Sequence, residues 1–229
     1  MSLVIGYIDP DGNRYMIADS CGYGSLTKAQ YANRKLFNAG SRGSSDKSDG
    51  VFVGMTGSFK LQNLITINLR PLSGIKSVRK GVLGSVVPWL TEELDAEAMD
   101  LSSMLIMFKD NAAKSRMVYI QGDYSVLEPA KTEHGVWKSI GAHGIAADIA
   151  MDIVFGGAEC TDCECKHDIF RVRDPETGSA VPGLLQVMGA VSARCDAVGV
   201  PYYVITPDGQ TRKHANADDL EGTLVKGGW

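Results

Sequence analysis

Ser2 follows the initiator methionine and opens the run Leu3-Val4-Ile5-Gly6-Tyr7-Ile8. Removal of Met1, expected before so small a residue, leaves a hydroxyl and a free α-amine on one amino acid. That is a nucleophile and a base in a single residue. An α-amine ordinarily titrates near pH ~8, closer to working pH than a lysine at about 10.4, so it can serve as the neutral base. A retained Met1 would block that amine and silence the chemistry. Many unrelated chains begin Met-Ser, so Ser2 gains meaning only from what stands at fixed distances after it. A second concentration of reactive groups is Cys160-Thr161-Asp162-Cys163-Glu164-Cys165-Lys166-His167. Three thiols and an imidazole suit zinc, but the spacing is tighter than that of structural zinc sites and no second half exists. A solvated loop with incidental thiols is expected there, with zinc or a labile disulfide as alternatives. Neither an essential metal nor another cofactor is expected.

The elements that must position Ser2 begin with a hairpin. The runs 3–8 and 14–20 alternate or concentrate apolar residues around Asp9-Pro10-Asp11-Gly12, which is turn chemistry. A polar, glycine-rich stretch runs from Cys21 to about Ser25. Strands are expected over 34–37 and 51–55, on either side of a loop at 40–50. A helix is predicted over 59–69, then a basic connector over 76–87. Leu90, Leu94, Leu101, Leu105 and Phe108 recur at helical spacings and predict one long helix. Strands over 117–120, 124–127 and 136–140 follow. Helices over 145–155 and 183–198 flank a cysteine-bearing excursion at about 156–181, and Tyr202–Ile205 is a closing strand. This order lacks regular βαβ alternation. It predicts an α+β fold, two antiparallel sheets covered by helix pairs in a four-layer αββα sandwich, as one domain.

Bulk properties narrow the function classes. With 229 residues and 44% hydrophobic content, the chain can bury its own core. A formal charge of −4 argues against nucleic-acid binding. No apolar run is long enough to span a bilayer, and the opening run is too short and unflanked by basic residues for a signal peptide. Five cysteines, an odd number, fit a reducing compartment, so a cytoplasmic location is expected.

The spacing becomes specific when taken together. Ser2 starts the first strand, Ile17-Ala18-Asp19-Ser20 ends the second, and Arg34-Lys35 stands sixteen residues after Asp19. Val53-Gly54-Met55-Thr56-Gly57-Ser58 then leads into a helix. In this order the chain resembles the proteasome β-subunit family and its HslV-type bacterial peptidase relatives among the N-terminal-nucleophile hydrolases. The later stretch 117–147 resembles the same family's strand pair, glycine turn and helix.

The resemblance implies roles. Ser2 stands where the family has its nucleophile, Asp19 and Lys35 where it has a buried aspartate and lysine. Gly57 matches the glycine whose N–H forms the oxyanion hole, Asp196 the aspartate after the last long helix, and Met55 a residue lining an apolar specificity pocket. The chemistry is coherent: a cationic Lys35 held by Asp19 favours the neutral form of a nearby amine. A backbone donor at Gly57 would stabilise an oxyanion, an effect of roughly 3–4 kcal/mol in well-studied hydrolases. Two family serines are missing, replaced by Ala142 and Gly199.

The resulting expectation is a peptidase that cleaves peptides or unfolded proteins through an ester on Ser2, assembled in a homo-oligomeric ring, with an ATPase unfoldase as partner. A catalytically silent structural or assembly protein, such as a phage virion component, is the alternative. A small-molecule amidase is a third possibility.

Overall fold

In the computed structural model, which describes residues 2–23, 30–32, 35–40, 47–156, 173–195 and 198–225, the opening apolar run forms β1 (Leu3–Ile8). All six of its residues are buried. A strand buried on both faces must lie between two layers. Leu3, Ile5 and Tyr7 pack against helices, while Val4 and Ile8 face a second sheet.

The first sheet follows from the expected hairpin. β1 pairs antiparallel with β2 (Arg14–Asp19) across the Asp9–Gly12 turn. Its full order is β10 (Val136–Gly141), β1, β2, β11 (Tyr202–Ile205), β12 (Thr211–His214), β13 (Thr223–Leu224). The second sheet has the order β5 (Leu36–Asn38), β6 (Phe52–Thr56), β7 (Ser103–Lys109), β8 (Ser115–Ile120), β9 (Val126–Leu127). β3 (Cys21–Tyr23) and β4 (Gln30–Ala32) pair separately. Both large sheets are antiparallel throughout.

Helices α4 (Gly144–Phe155) and α5 (Val181–Ser192) cover the first sheet, burying Met151, Phe155, Leu184 and Met188 against it. On the second sheet lie α1 (Phe59–Ile67), a π-helical segment Val78–Val86, α2 (Val87–Glu93) and α3 (Ala96–Asp100). The result is the expected four-layer α+β sandwich. Between the sheets, two glycines permit close approach. A Cβ on Gly6 would lie 2.6 Å from Leu105 Cδ2, and one on Gly54 would lie 2.5 Å from Val4 Cγ1. Arg14 is buried at the edge of this layer, its guanidinium donating to the carbonyls of Gly50 and Ser48 and lying over the Phe52 ring. Burial pushes its pKa down to about 10, so it stays charged at neutral pH while fixing the approach to β6.

Two expectations fail in the middle of the chain. The long helix expected over 90–108 is α2, α3 and then β7, a central strand. Leu94 leaves helical geometry, and the Asp95 side chain restarts a helix by accepting from the Ala98 N–H at 2.8 Å. Met104 to Phe108 is a continuous apolar run buried on both faces, a pattern that fits either period. The expected connector over 76–87 is largely helical, because Val82 and Val86 supply buried anchors four residues apart. Smaller shifts also occur: Lys35 precedes β5 rather than lying within it, and part of the glycine-rich stretch pairs as β3. The strands β12 and β13 were not anticipated. The cysteine cluster at 160–167 lies outside the described residues.

Candidate active site

Four chain segments converge where β1 begins. Ser2, half-buried, precedes β1, and its carbonyl accepts a hydrogen bond from the Ala142 N–H at 3.1 Å. The next amide, Leu3 N–H, donates to Asp19 Oδ1 at 2.7 Å. Lys35 Nζ donates to that same oxygen at 2.6 Å. The ammonium of Lys35 therefore stands beside the Ser2–Leu3 peptide, joined to it through one carboxylate oxygen.

The pair is withdrawn from water. The Asp19 side chain is 0% exposed and that of Lys35 is 3% exposed. Asp19 is held because it ends β2 opposite the start of β1, and the Ser20 N–H donates to the Gly199 carbonyl at 3.3 Å. Lys35 is fixed through its backbone, whose carbonyl accepts from the Met55 N–H at 3.0 Å.

That bond links the pair to the strand-to-helix turn. Met55 is 3% exposed and packs in the core beneath the second sheet's helices. Thr56, buried, follows it, and then Gly57 at φ +102. A Cβ on Gly57 would lie 2.1 Å from the Leu101 carbonyl oxygen, so only glycine fits this turn. Ser102, also buried, fastens the turn: its hydroxyl accepts from the Ser58 N–H at 3.0 Å and donates to the Ala98 carbonyl at 2.6 Å. Ser58 then caps α1 by accepting from the Lys60 N–H at 3.1 Å.

Gly141 closes the arrangement. At φ +106, its Cβ position would lie 2.0 Å from the Ser2 carbonyl oxygen and 3.0 Å from Thr56 Cγ2. Ser2, Asp19, Lys35, Met55 and Gly57 are thus brought into one region from positions up to 55 residues apart. Asp196 lies outside the described residues, as does Met1. Thr56, Ser102 and Gly141 were missed as site residues. Their only sequence signals are a polar residue ending an apolar strand, a serine opening another, and a glycine just before a helix. His143 precedes α4 and lines a groove between α4 and α5, with Ile149, Ala190 and Arg194. Among the described residues, no group of three or more His, Cys, Asp or Glu side chains is placed to hold a metal ion. No helix there is long and apolar enough to cross a membrane.

Solved structures share this architecture. The ancestral β-subunit Anbu from Yersinia bercovieri aligns over 96% of this chain and 89% of its own, with a TM-score of 0.67 and 14% identity. The fold is proteasome-like. Anbu from Pseudomonas aeruginosa, solved as a helical assembly, aligns over 97% and 86% with a TM-score of 0.61 and 15% identity. The Thiobacillus denitrificans BPH protein aligns over 89% and 96%, with a TM-score of 0.56 and 16% identity. No family model and no curated protein matches the chain.

These neighbours correct the kinship read from the sequence. The similar structures named are ancestral β-subunits and BPH, and they lend no support to an HslV-type assignment. The reason is physical. The motifs that suggested it mark two strand ends and one strand-to-helix turn, positions set by the double sheet itself. They identify the fold and do not separate its branches.

Proposed function

We propose that the chain is a hydrolase of the peptidase type, with Ser2 as the nucleophile after loss of Met1. The observation that carries the reading is the buried Lys35–Asp19 pair tied to the Leu3 amide. Burying two charges costs several kcal/mol per ion, only partly recovered by their attraction. An ion pair at this cost, placed against the one residue that can present an amine and a hydroxyl, marks a site.

In this reading Ser2 Oγ attacks the carbonyl carbon of a peptide bond and passes its proton to the α-amine. The Gly57 N–H, held by the turn, donates to the oxyanion. The C–N bond breaks as the leaving amine takes the proton from the α-ammonium. Water, deprotonated by the same amine, then hydrolyses the ester and frees Ser2. Lys35, cationic beside the amine, favours its neutral form, and Asp19 holds Lys35 in place. Asp196 would complete the polar surround, and Met55 would border the pocket for an apolar substrate side chain.

The protein also self-assembles in this reading. Ile145, Ile149 and Ile153 stand four residues apart on α4 and are 81%, 56% and 50% exposed, beside a groove of about 520 Å³ between α4 and α5. A second copy would bury this stripe, and the Pseudomonas neighbour is itself a helical assembly. If successive copies meet through unlike faces, the assembly is a ring where the rotation closes and a helix where it does not.

A second reading, a catalytically silent assembly protein, draws on Ala142. The residue whose amide binds the Ser2 carbonyl offers no hydroxyl to that site. One experiment separates the two. Intact mass shows whether Met1 is removed, and a peptide epoxyketone or β-lactone should add one increment to the peptide that begins at Ser2. Labelling at another residue, or a retained Met1, would sink the hydrolase reading. Ser2→Ala should lose both label and turnover.

A further inference from the structure

The helical layer over the second sheet is divided by charge. From Gly50 to Thr91 the chain carries five Lys or Arg residues and no acid, and from Glu92 to Asp100 five acids and no base. The division falls along a single rod, because the segment Val78–Val86 runs without a break into α2. Lys76, Arg79 and Lys80 stand at its start. Glu92 and Glu93 stand at its end, with Glu97 just beyond on α3. Arg79, Lys80, Glu92, Glu93 and Glu97 are exposed.

This arrangement opposes the rod's own electrostatics. The start of a helix is the positive end of its dipole and favours acids, and its end favours bases. Here each end carries the unfavourable sign. Nor do the two groups satisfy each other within one molecule. Sixteen helical residues separate the ends by roughly 20 Å, beyond the screening length of about 8 Å at physiological salt. Among the described residues, these ten charges form one ion pair, Lys60 with Asp95. The basic end also borders a groove of about 390 Å³ lined by Lys76, Arg79 and Arg116, with one acid, Asp110. Arg79, Lys80, Glu92 and Glu93 strain their own helix and form no ion pair among the described residues. They are suited to a partner of complementary sign, and the chain carries that complement itself. Glu97, in the first turn of α3 and near Lys60, extends the acidic end.

We infer that copies of this chain dock head to tail, with Lys76, Arg79 and Lys80 of one molecule against Glu92, Glu93 and Glu97 of the next. Such a contact joins unlike faces, so it propagates and closes into a ring or winds into a filament. It is distinct from the apolar stripe on α4, which lies on the opposite outer layer. The inference rests on the self-assembly proposed above and is independent of whether Ser2 is active.

Charge exchange tests it. Arg79→Glu with Lys80→Glu makes both ends acidic, and Glu92→Lys with Glu93→Lys makes both ends basic. Each double change gives its own helix end the sign the dipole favours, so folding is retained. In sedimentation velocity at low salt, each variant alone should self-associate at least about tenfold more weakly than the natural chain, and their mixture should assemble again. High salt should dissociate the natural assembly at this contact. Reversed variants that assemble like the natural chain, or a mixture that stays apart, would overturn the inference and leave self-assembly standing. A natural chain that is monomeric at low salt would overturn both. Capture of an acidic peptide by the basic end, without self-association, would assign that end to a different partner and likewise overturn it.

Discussion

Lys35 Nζ and the Leu3 amide meet at one oxygen of Asp19, at 2.6 and 2.7 Å, in a site where neither charged side chain is more than 3% exposed. The carboxylate therefore has two tasks that pull apart under mutation. It neutralises a buried cation, and it anchors the first peptide bond of β1.

Removing Asp19 alone should be the most damaging single change in the region. Asp19→Ala leaves Lys35 charged and buried without that partner, a situation that costs about 3–5 kcal/mol in comparable sites. Lys35→Met keeps the volume but leaves the buried Asp19 carboxylate without that cation. The Leu3 N–H still donates to the carboxylate, so the stability loss should be smaller than that of Asp19→Ala. If Lys35 tunes the Ser2 amine, however, Lys35→Met should still lower kcat by roughly 100-fold. Denaturant unfolding and peptide turnover on the same preparations check both halves. A folded Lys35→Met at full rate would reduce the lysine to a structural counter-ion.

Ser102 gives a finer test of the Gly57 turn. Its hydroxyl joins the Ser58 N–H to the Ala98 carbonyl, so it fixes the amides around Gly57 without facing the substrate. Ser102→Ala should cost about 1–3 kcal/mol of stability, since it removes both bonds and leaves the Ala98 carbonyl without that donor. It should also lower kcat by about tenfold with KM little changed, because misplaced donors weaken the transition state more than binding. Equal rates in the two proteins would show that the turn holds its shape through Leu101 and Gly57 alone.

How much of this was legible in the sequence follows from which interactions are local. The hairpin of β1 and β2 was readable, since a Pro-Asp-Gly turn joins two apolar runs. The pairing of Asp19 with Lys35 beside the start of β1 was readable through their order in the chain. The strand β7 was not readable, because Met104 to Phe108 is apolar at every position and carries no period. Its conformation is set by pairing with β6 and β8, a long-range choice. Ser102 and Gly141 escaped for the same reason: each acts by touching a segment 40 or more residues away in sequence. The sequence motifs could not separate branches of this fold because they report the double sheet that the similar structures share.

The apolar stripe on α4 should govern a contact between copies. Ile149 is 56% exposed, so Ile149→Asp places a charge in no core and should leave the melting temperature nearly unchanged. Buried against a second copy, the same carboxylate would go unpaired, and the assembled fraction should collapse. Light scattering of the two proteins at matched concentration reads the difference. Unchanged mass would remove this face from the assembly.

Gly141 tests whether the position of Ser2 matters separately from the fold. Alanine there meets two obstacles, the positive φ of +106 and a Cβ only 2.0 Å from the Ser2 carbonyl oxygen. Gly178, at φ +68 with nothing within 4 Å of its Cβ position, presents the first obstacle without the second. Gly178→Ala should therefore show the cost of backbone strain alone, about 1 kcal/mol or somewhat more, with turnover unchanged. Gly141→Ala carries that cost and must also push Ser2 away from the Ala142 amide and Thr56. A shift of the nucleophile by about 1 Å is enough to reduce kcat/KM by roughly 100-fold. Comparing both variants by thermal melting and inhibitor labelling rate isolates the displacement. If Gly141→Ala labels as fast as the natural chain, the contact between Gly141 and the Ser2 carbonyl does not aim the nucleophile.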